Sequence, residues 1–568
     1  MLDNGKVYQS KGFSMNVEEV QRRLWKQSSQ HRRHCATDTP MFPVNKYDGR
    51  ARNLMDLMHH PQWLRMAAER ALIRSHNKAP GIDGVTAYDF REGFEGKIET
   101  LRLELKRGIY QPQPARRVMI PKANGKMRPL GIPCMRDKIV QEAIRMALEP
   151  IFEVEFHNSS YGFRPNRSTH HAVYRCQHLM KSKFSWVIEG DVKACFDEIS
   201  HDSILRVVRE KVMDNKFLEL IRRFLKAGVV IEGVVQPTEK GVPQGGVISP
   251  LLANAVLNKL DWFLHSKGAY ETAAVLRAER RREPNVRFVR YADDWCVFIT
   301  RATKQYAEAL REEIRGFLRR ECGLELSVEK THVTHVRDGY DFLGFRLSYN
   351  IGQSGKRVPK IKIGQKALRN VKLRLSEAMR YRPHQESVAM RIQRGSTVVR
   401  GWSNYFCIAH NFTGLAGKLD NEAFWIALKA ICRKLDIPTG TAMKRFYRNG
   451  GIQVDGFCRL EKFSGTSMKL YFRGPEPYTP GTSENESDND MEATFKNERR
   501  RPGSRDVKYE ILQRDNYCCR RCGRFVTDKT SHTDHVVPVK RFASYARANS
   551  DNNLQTLCLD CHQEKHYA

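Results

Sequence analysis

Two adjacent carboxylates, Asp293 and Asp294, interrupt an apolar run, with Phe288-Val289-Arg290-Tyr291-Ala292 before them and Trp295-Cys296-Val297-Phe298-Ile299 after. The β-branched and aromatic content predicts two strands meeting at a tight turn. Neighbouring anions in a buried hairpin repel one another and lose hydration, so they persist only where a metal, a base or water compensates them. Oxygen ligands point to magnesium. A solvated Asp-Asp turn would need none of this, and the dipeptide alone does not separate the two. Its companion is Trp186-Val187-Ile188-Glu189-Gly190-Asp191, an apolar strand that delivers a third carboxylate at its end and is followed by Phe196. Three such carboxylates can share two magnesium ions about 4 Å apart, which activate an attacking hydroxyl and stabilise a pyrophosphate leaving group. That is the chemistry of nucleotide polymerisation.

A second constellation closes the chain. Cys519-Arg520-Arg521-Cys522 is followed by Asp534-His535, Asn553 and Cys558-Leu559-Asp560-Cys561-His562. Two Cys-x-x-Cys pairs suit tetrahedral zinc, which would staple a domain too small to rely on its apolar core. Cys518 is an alternative to its neighbour, and register favours Cys519. A disulfide framework is the rival reading. The fourteen cysteines, mostly scattered singly in a long chain, argue instead for a reducing compartment.

The elements that must position these residues belong to a chain of 568 residues, long enough for several domains. No apolar stretch reaches the ~20 residues of a membrane span. Residues 1–30 include acidic side chains and lack a hydrophobic signal core, so secretion is not expected. Lys and Arg number 97 against 64 Asp and Glu, a formal charge of +33 with a pI near 9.7. Such an excess predicts polyanion binding that weakens steeply with salt. Arg277-Ala278-Glu279-Arg280-Arg281-Arg282 and Lys356-Arg357-Val358-Pro359-Lys360-Ile361-Lys362 are candidate contacts. Residues 366–450 read as helical, and within them Trp402, Tyr405 and Phe406 suit either a packed core or stacking on unpaired bases. Residues 474–490 are too polar and Pro-rich to bury a core and read as a linker, followed by basic residues 496–505.

A series of motifs then resembles one family, the group II intron-encoded reverse transcriptases, also called maturases. It begins at Lys78-Ala79-Pro80-Gly81-Ile82-Asp83-Gly84 and Ile120-Pro121-Lys122-Ala123-Asn124-Gly125-Lys126-Met127-Arg128-Pro129. It continues through Tyr161-Gly162-Phe163-Arg164-Pro165, the two aspartate segments, Gly241-Val242-Pro243-Gln244-Gly245-Gly246, Leu326-Ser327-Val328-Glu329-Lys330-Thr331 and Phe342-Leu343-Gly344-Phe345. The resemblance implies an α+β right-hand polymerase, with fingers, a palm built on an antiparallel sheet and a helical thumb. It makes Asp191, Asp293 and Asp294 the catalytic metal ligands, joined by the backbone of Val192 beside the incoming triphosphate. Lys122 and Arg128 would sit in the fingers, where fixed cations stabilise the charge that the triphosphate gains during transfer. Phe196 would lie beneath the sugar and exclude a 2′-hydroxyl. Gln244, in a turn whose glycines let backbone approach closely, would touch the nucleotide.

The carboxyl end resembles an HNH nuclease, implying a small zinc-bound ββα module. There His535 would be the general base, since a neutral imidazole takes a proton from water near pH 7. Asp534 and His562 would hold the catalytic ion, Asn553 would orient the base's loop, and His566 is an additional candidate ligand. The implied cofactors are two Mg2+ ions at the polymerase centre, Mg2+ at the nuclease, and structural Zn2+ on Cys519, Cys522, Cys558 and Cys561. The implied partners are group II intron RNA, target DNA and deoxynucleoside triphosphates, with no membrane. A bacterial cytoplasm and an organelle matrix both fit. The expected organisation is an amino-terminal extension (1–75), fingers and palm (76–350), helical thumb or maturase domain (351–450), linker and DNA-binding region (451–505) and HNH domain (506–568). The rival function is an RNA-binding splicing factor with a vestigial polymerase centre, against which the intact aspartate set argues. A reverse transcriptase serving host defence or sequence diversification is disfavoured by the terminal nuclease.

Overall fold

The computed structural model describes residues 15–35, 50–75, 79–121, 127–182, 184–242, 245–270, 280–353, 355–380, 387–454 and 458–469, with parts of 275–278, 475–480 and 511–562. It is a mixed α and β chain. Its first eight strands are β1 (Ala115–Pro121), β2 (Met127–Ile132), β3 (Phe184–Asp191), β4 (Val229–Ile231), β5 (Val234–Gln236), β6 (Asn285–Tyr291), β7 (Asp294–Thr300) and β8 (His332–His335). They make two four-stranded sheets, ordered β2-β1-β4-β5 and β6-β7-β3-β8. In the second every neighbouring pair is antiparallel.

That second sheet explains why its strands read as continuous apolar runs. Along β7, Trp295, Val297 and Ile299 enter one core, and the alternate residues Cys296 and Phe298 enter another. A strand covered on both faces shows no polar alternation. The first core is completed by the helix Met135–Glu153, buried on nearly every side, and by the helix Ser249–Ser266. The fit is tight at Gly190, where a Cβ would stand 2.0 Å from the Trp295 ring.

The second core extends into the carboxyl half. Here β9 (Tyr340–Phe342), β10 (Phe345–Ile351) and β11 (Arg357–Ile363) form an antiparallel sheet. The expected helical region follows as helices Gln365–Arg380, Val388–Phe406, Phe412–Leu435 and Thr439–Phe446. Their packing settles the two readings of the aromatic trio. Phe406 is buried with Trp402 and Tyr405 packed against the same cluster, and the Tyr405 hydroxyl donates to the Leu343 carbonyl at 3.0 Å. The strands β12 (Tyr447–Arg448), β13 (Gly451–Val454) and β14 (Cys458–Arg459) come next, and Ile452, Val454, Leu460 and Phe463 also enter this core. Near the carboxyl end, β15 (Ser531–His535) pairs antiparallel with β16 (Leu554–Cys558). Most of the expected linker lies outside the described residues. Among the described residues, no helix is long and apolar enough to cross a membrane.

Candidate active site and metal centre

The hairpin of β6 and β7 turns at Ala292 and Asp293, with Ala292 in left-handed backbone at φ 56°. Asp191, the last residue of β3, stands directly opposite Asp294 across the ladder. Cα atoms so paired lie only about 5 Å apart, so the three carboxylates converge at one edge of the sheet. Burial, then the charges of Asp293 and Asp191, push Asp294 up to about 7. The Asp294 carboxyl also shares a hydrogen bond with Asp191. Burial likewise raises Asp293, with the Asp191 charge adding to it and Arg128 opposing it. Crowded oxygens that resist ionisation are the donor set a hard divalent cation satisfies. The residues therefore fit magnesium.

A cation already stands at the rim. Lys330 Nζ lies 2.8 Å from Asp191 Oδ2 while its side chain stays largely exposed, and that bond raises the lysine's pKa. Lys330 was passed over as a site residue in the sequence, being 139 positions from its partner. Arg290 was missed too. Its guanidinium, 1% exposed, grips Asp261 through two bonds of 2.7 and 2.6 Å and donates to Asn254 Oδ1 and to the Ala292 carbonyl. A buried ion pair thus holds the turn that carries Asp293. Its only sequence signal is a charge within an apolar strand.

The flanking residues come to the same edge. Val192 is buried and bridges Leu326, and the Asp191 carbonyl accepts from Ser327 N at 2.9 Å. The Phe196 ring packs partly against the first core, and its carbonyl accepts from Val242 N at 2.7 Å, tying it to the 241–246 segment. Arg128 is exposed on β2 and lies within electrostatic reach of Asp293. Lys122 and Gln244 lie outside the described residues.

At the carboxyl end the four thiols of Cys519, Cys522, Cys558 and Cys561 lie within 4.8 Å of one another. Cys522 and Cys558 Sγ are 3.7 Å apart, and a tetrahedron with metal–sulfur bonds of about 2.3 Å spaces its sulfurs about 3.8 Å apart. The cluster fits zinc. Cys518 lies outside the described residues. Beside the cluster, Asp534 is buried on β15, and the half-buried His562 ring stacks on His532 at 4.5 Å. The His535 backbone pairs with Leu554. The His535 side chain, Asn553 and His566 lie outside the described residues.

Two family profiles match this chain. The one described as "Reverse transcriptase (RNA-dependent DNA polymerase)" spans residues 120–347, and the one described as "HNH endonuclease" spans 519–568. Protein YkfC of Escherichia coli is 39% identical over 378 residues, covering 63% of this chain and 94% of that protein. The group II intron-encoded protein LtrA of Lactococcus lactis is 36% identical over 337 residues, half of this chain and 55% of that protein. The putative COX1/OXI3 intron 2 protein of Saccharomyces cerevisiae is 26% identical over 492 residues, covering 75% of this chain and 57% of that protein. Fold and site thus define a polymerase of the reverse transcriptase class joined to a nuclease domain. The chain belongs to the group II intron-encoded reverse transcriptases and maturases, with an HNH endonuclease domain at its carboxyl end.

Proposed function

We propose that this protein copies its intron RNA into DNA at the Asp191, Asp293 and Asp294 centre, from a primer that its own HNH domain generates in target DNA. Magnesium held by the three carboxylates and the Val192 backbone would supply charge neutralisation of the attacking and leaving oxygens. The remaining work falls to the chain. Arg128, with Lys122, holds the triphosphate, Phe196 blocks a ribose 2′-hydroxyl, and Gln244 contacts the nucleotide. The β2-β1-β4-β5 sheet serves as fingers, the β6-β7-β3-β8 sheet as palm, and the helices from Gln365 to Phe446 as thumb and intron-RNA surface. At the far end, zinc on the four cysteines supports the ββα fold. Asp534 and His562 hold a divalent ion with His566 as a further ligand, and His535, oriented by the Asn553 loop, takes the proton from water. A bacterial cytoplasm or an organelle matrix suits this set of partners.

The observation that carries this reading is the direct opposition of Asp191 and Asp294, with Asp294 pushed up to about 7. A vestigial centre has no need to keep three half-buried, mutually repelling carboxylates. The test is primer extension on an RNA template with magnesium and deoxynucleotides, alongside splicing and nicking assays. Asp293→Ala should lower copying by about a thousandfold or more and spare splicing, and His535→Ala should remove only nicking. A wild-type protein that binds intron RNA yet incorporates no deoxynucleotide would establish the binding-only alternative.

A further inference from the structure

The segment before the active-site hairpin is locked from both sides yet leaves one large ring in solvent. Ser160 bridges Arg290 of β6, Tyr161 N donates to the Arg290 carbonyl at 2.8 Å, and Asn254 Nδ2 donates to the Gly162 carbonyl at 2.8 Å. Gly162 lies so close to the turn that a Cβ there would meet Ala292 N at 2.4 Å. On the other side Arg164 is buried against Glu153, with a bond of 2.9 Å. Between these two fixed neighbours Phe163 is 57% exposed and adopts left-handed backbone at φ 55°. For a bulky residue that conformation is a true outlier, costly and concentrated at functional sites. Glycine would hold the same turn without the strain.

The ring's surroundings say what could cover it. Phe163 stands edge-on to Phe196 at 6.4 Å and tilted to Tyr291 at 6.5 Å. Phe196 follows Asp191 by five residues and Tyr291 precedes Asp293 by two, so the three rings form an apolar ledge beside the carboxylates. We infer that Phe163 is a further substrate-contacting residue, an apolar floor for the sugars and base edges of the terminal base pair of the template–primer duplex, and that it sharpens selection of the correctly paired nucleotide. This rests on the polymerase reading above. Phe196 takes the sugar of the incoming nucleotide, so the neighbouring Phe163 ring, 6.4 Å away, is left for the sugar and base edges of the adjoining base pair, the one at the primer's 3′-terminus.

The test measures single-nucleotide insertion by the full-length protein, for correct and mispaired deoxynucleotides, with melting temperature recorded for each variant. Phe163→Gly should melt no lower than wild type, because it relieves the strained backbone. Its kcat/KM for the correct nucleotide should nevertheless fall about tenfold, with the ratio of correct to mispaired insertion narrowing comparably. Phe163→Leu, which keeps apolar bulk, should recover much of both. Unchanged insertion and unchanged discrimination in a well-folded Phe163→Gly protein would overturn the inference. So would a loss in both variants that tracks a fall in melting temperature, since the ring would then be structural. If wild-type protein itself extends no primer, the polymerase reading has failed; if wild type extends and the variants insert and discriminate as it does, the floor alone has failed.

Discussion

Around the aspartates, β7 is buried on both faces, with Trp295, Val297 and Ile299 in one core and Cys296 and Phe298 in the other. Around the thiolates, the cluster among the described residues is Leu512, Cys519, Val526, Leu557, Cys558 and Cys561, half of it cysteine. The first region has an interior that fixes its carboxylates whether or not an ion arrives. In the second, the described buried residues include three of the four cysteines, so an ion held by the thiols would tie the interior together. Both donor sets fit a metal, yet in the proposed reading the protein would position the metal at one and the metal would position the protein at the other.

Removing zinc should produce the largest effect. Structural zinc contributes roughly 10 kcal/mol to the folding of small thiolate domains. A zinc-selective chelator, with magnesium kept in excess, should make residues 506–568 protease-sensitive and abolish nicking while primer extension continues. Continued protection of that region without zinc would break the comparison, and so would collapse of both activities together.

The converse probe removes packing from the aspartate region and leaves its carboxylates in place. Arg290→Ala strands Asp261, which is 0% exposed, as a buried charge without its partner. Such a loss costs about 3–5 kcal/mol, and it also frees the Ala292 carbonyl that the guanidinium holds. Denaturant unfolding should report the destabilisation. Excess magnesium should restore little of it, because here the ion is guest and the core is host. Full rescue by magnesium would erase the distinction between the two centres.

How much of this was legible in the sequence follows the same division. The hairpin, the Asp191 strand and the Cys-x-x-Cys pairs could be read because local pattern and short spacing encode them. The four cysteines converge as their spacing suggested. The supports were hidden because they are set by distant packing. Lys330 meets Asp191 across 139 positions, Arg290 meets Asp261 from a different element, and the left-handed backbone of Phe163 leaves no mark on composition. Helical spacing could not decide between core and RNA platform for Trp402, Tyr405 and Phe406. Packing against the second core decided it.

The smallest effect concerns a buried carboxyl raised mainly by burial, with the charge of Asp83 a lesser cause. Asp137, on the helix Met135–Glu153, accepts from the Tyr110 hydroxyl and from Gln113 N at 3.1 Å. Burial pushes it up to about 6, although those two bonds and Arg136 pull the other way. Unfolded, it would titrate near 3.9. Between about pH 4 and pH 6 the folded chain therefore keeps a proton that the unfolded chain has released, so this group's contribution to stability falls as pH rises through that window and is flat above it. Two units correspond to about 3 kcal/mol at most. Asp137→Asn keeps an acceptor for Tyr110 and cannot ionise. Relative to wild type it should gain stability as pH climbs from 4 to 6 and hold that gain at pH 8, as read from denaturant midpoints along the two pH series. Parallel curves would mean that the Tyr110 and Gln113 bonds already compensate the charge, so that a carboxyl in this core needs no cation and the raised pKa of Asp294 reflects its acidic neighbours alone.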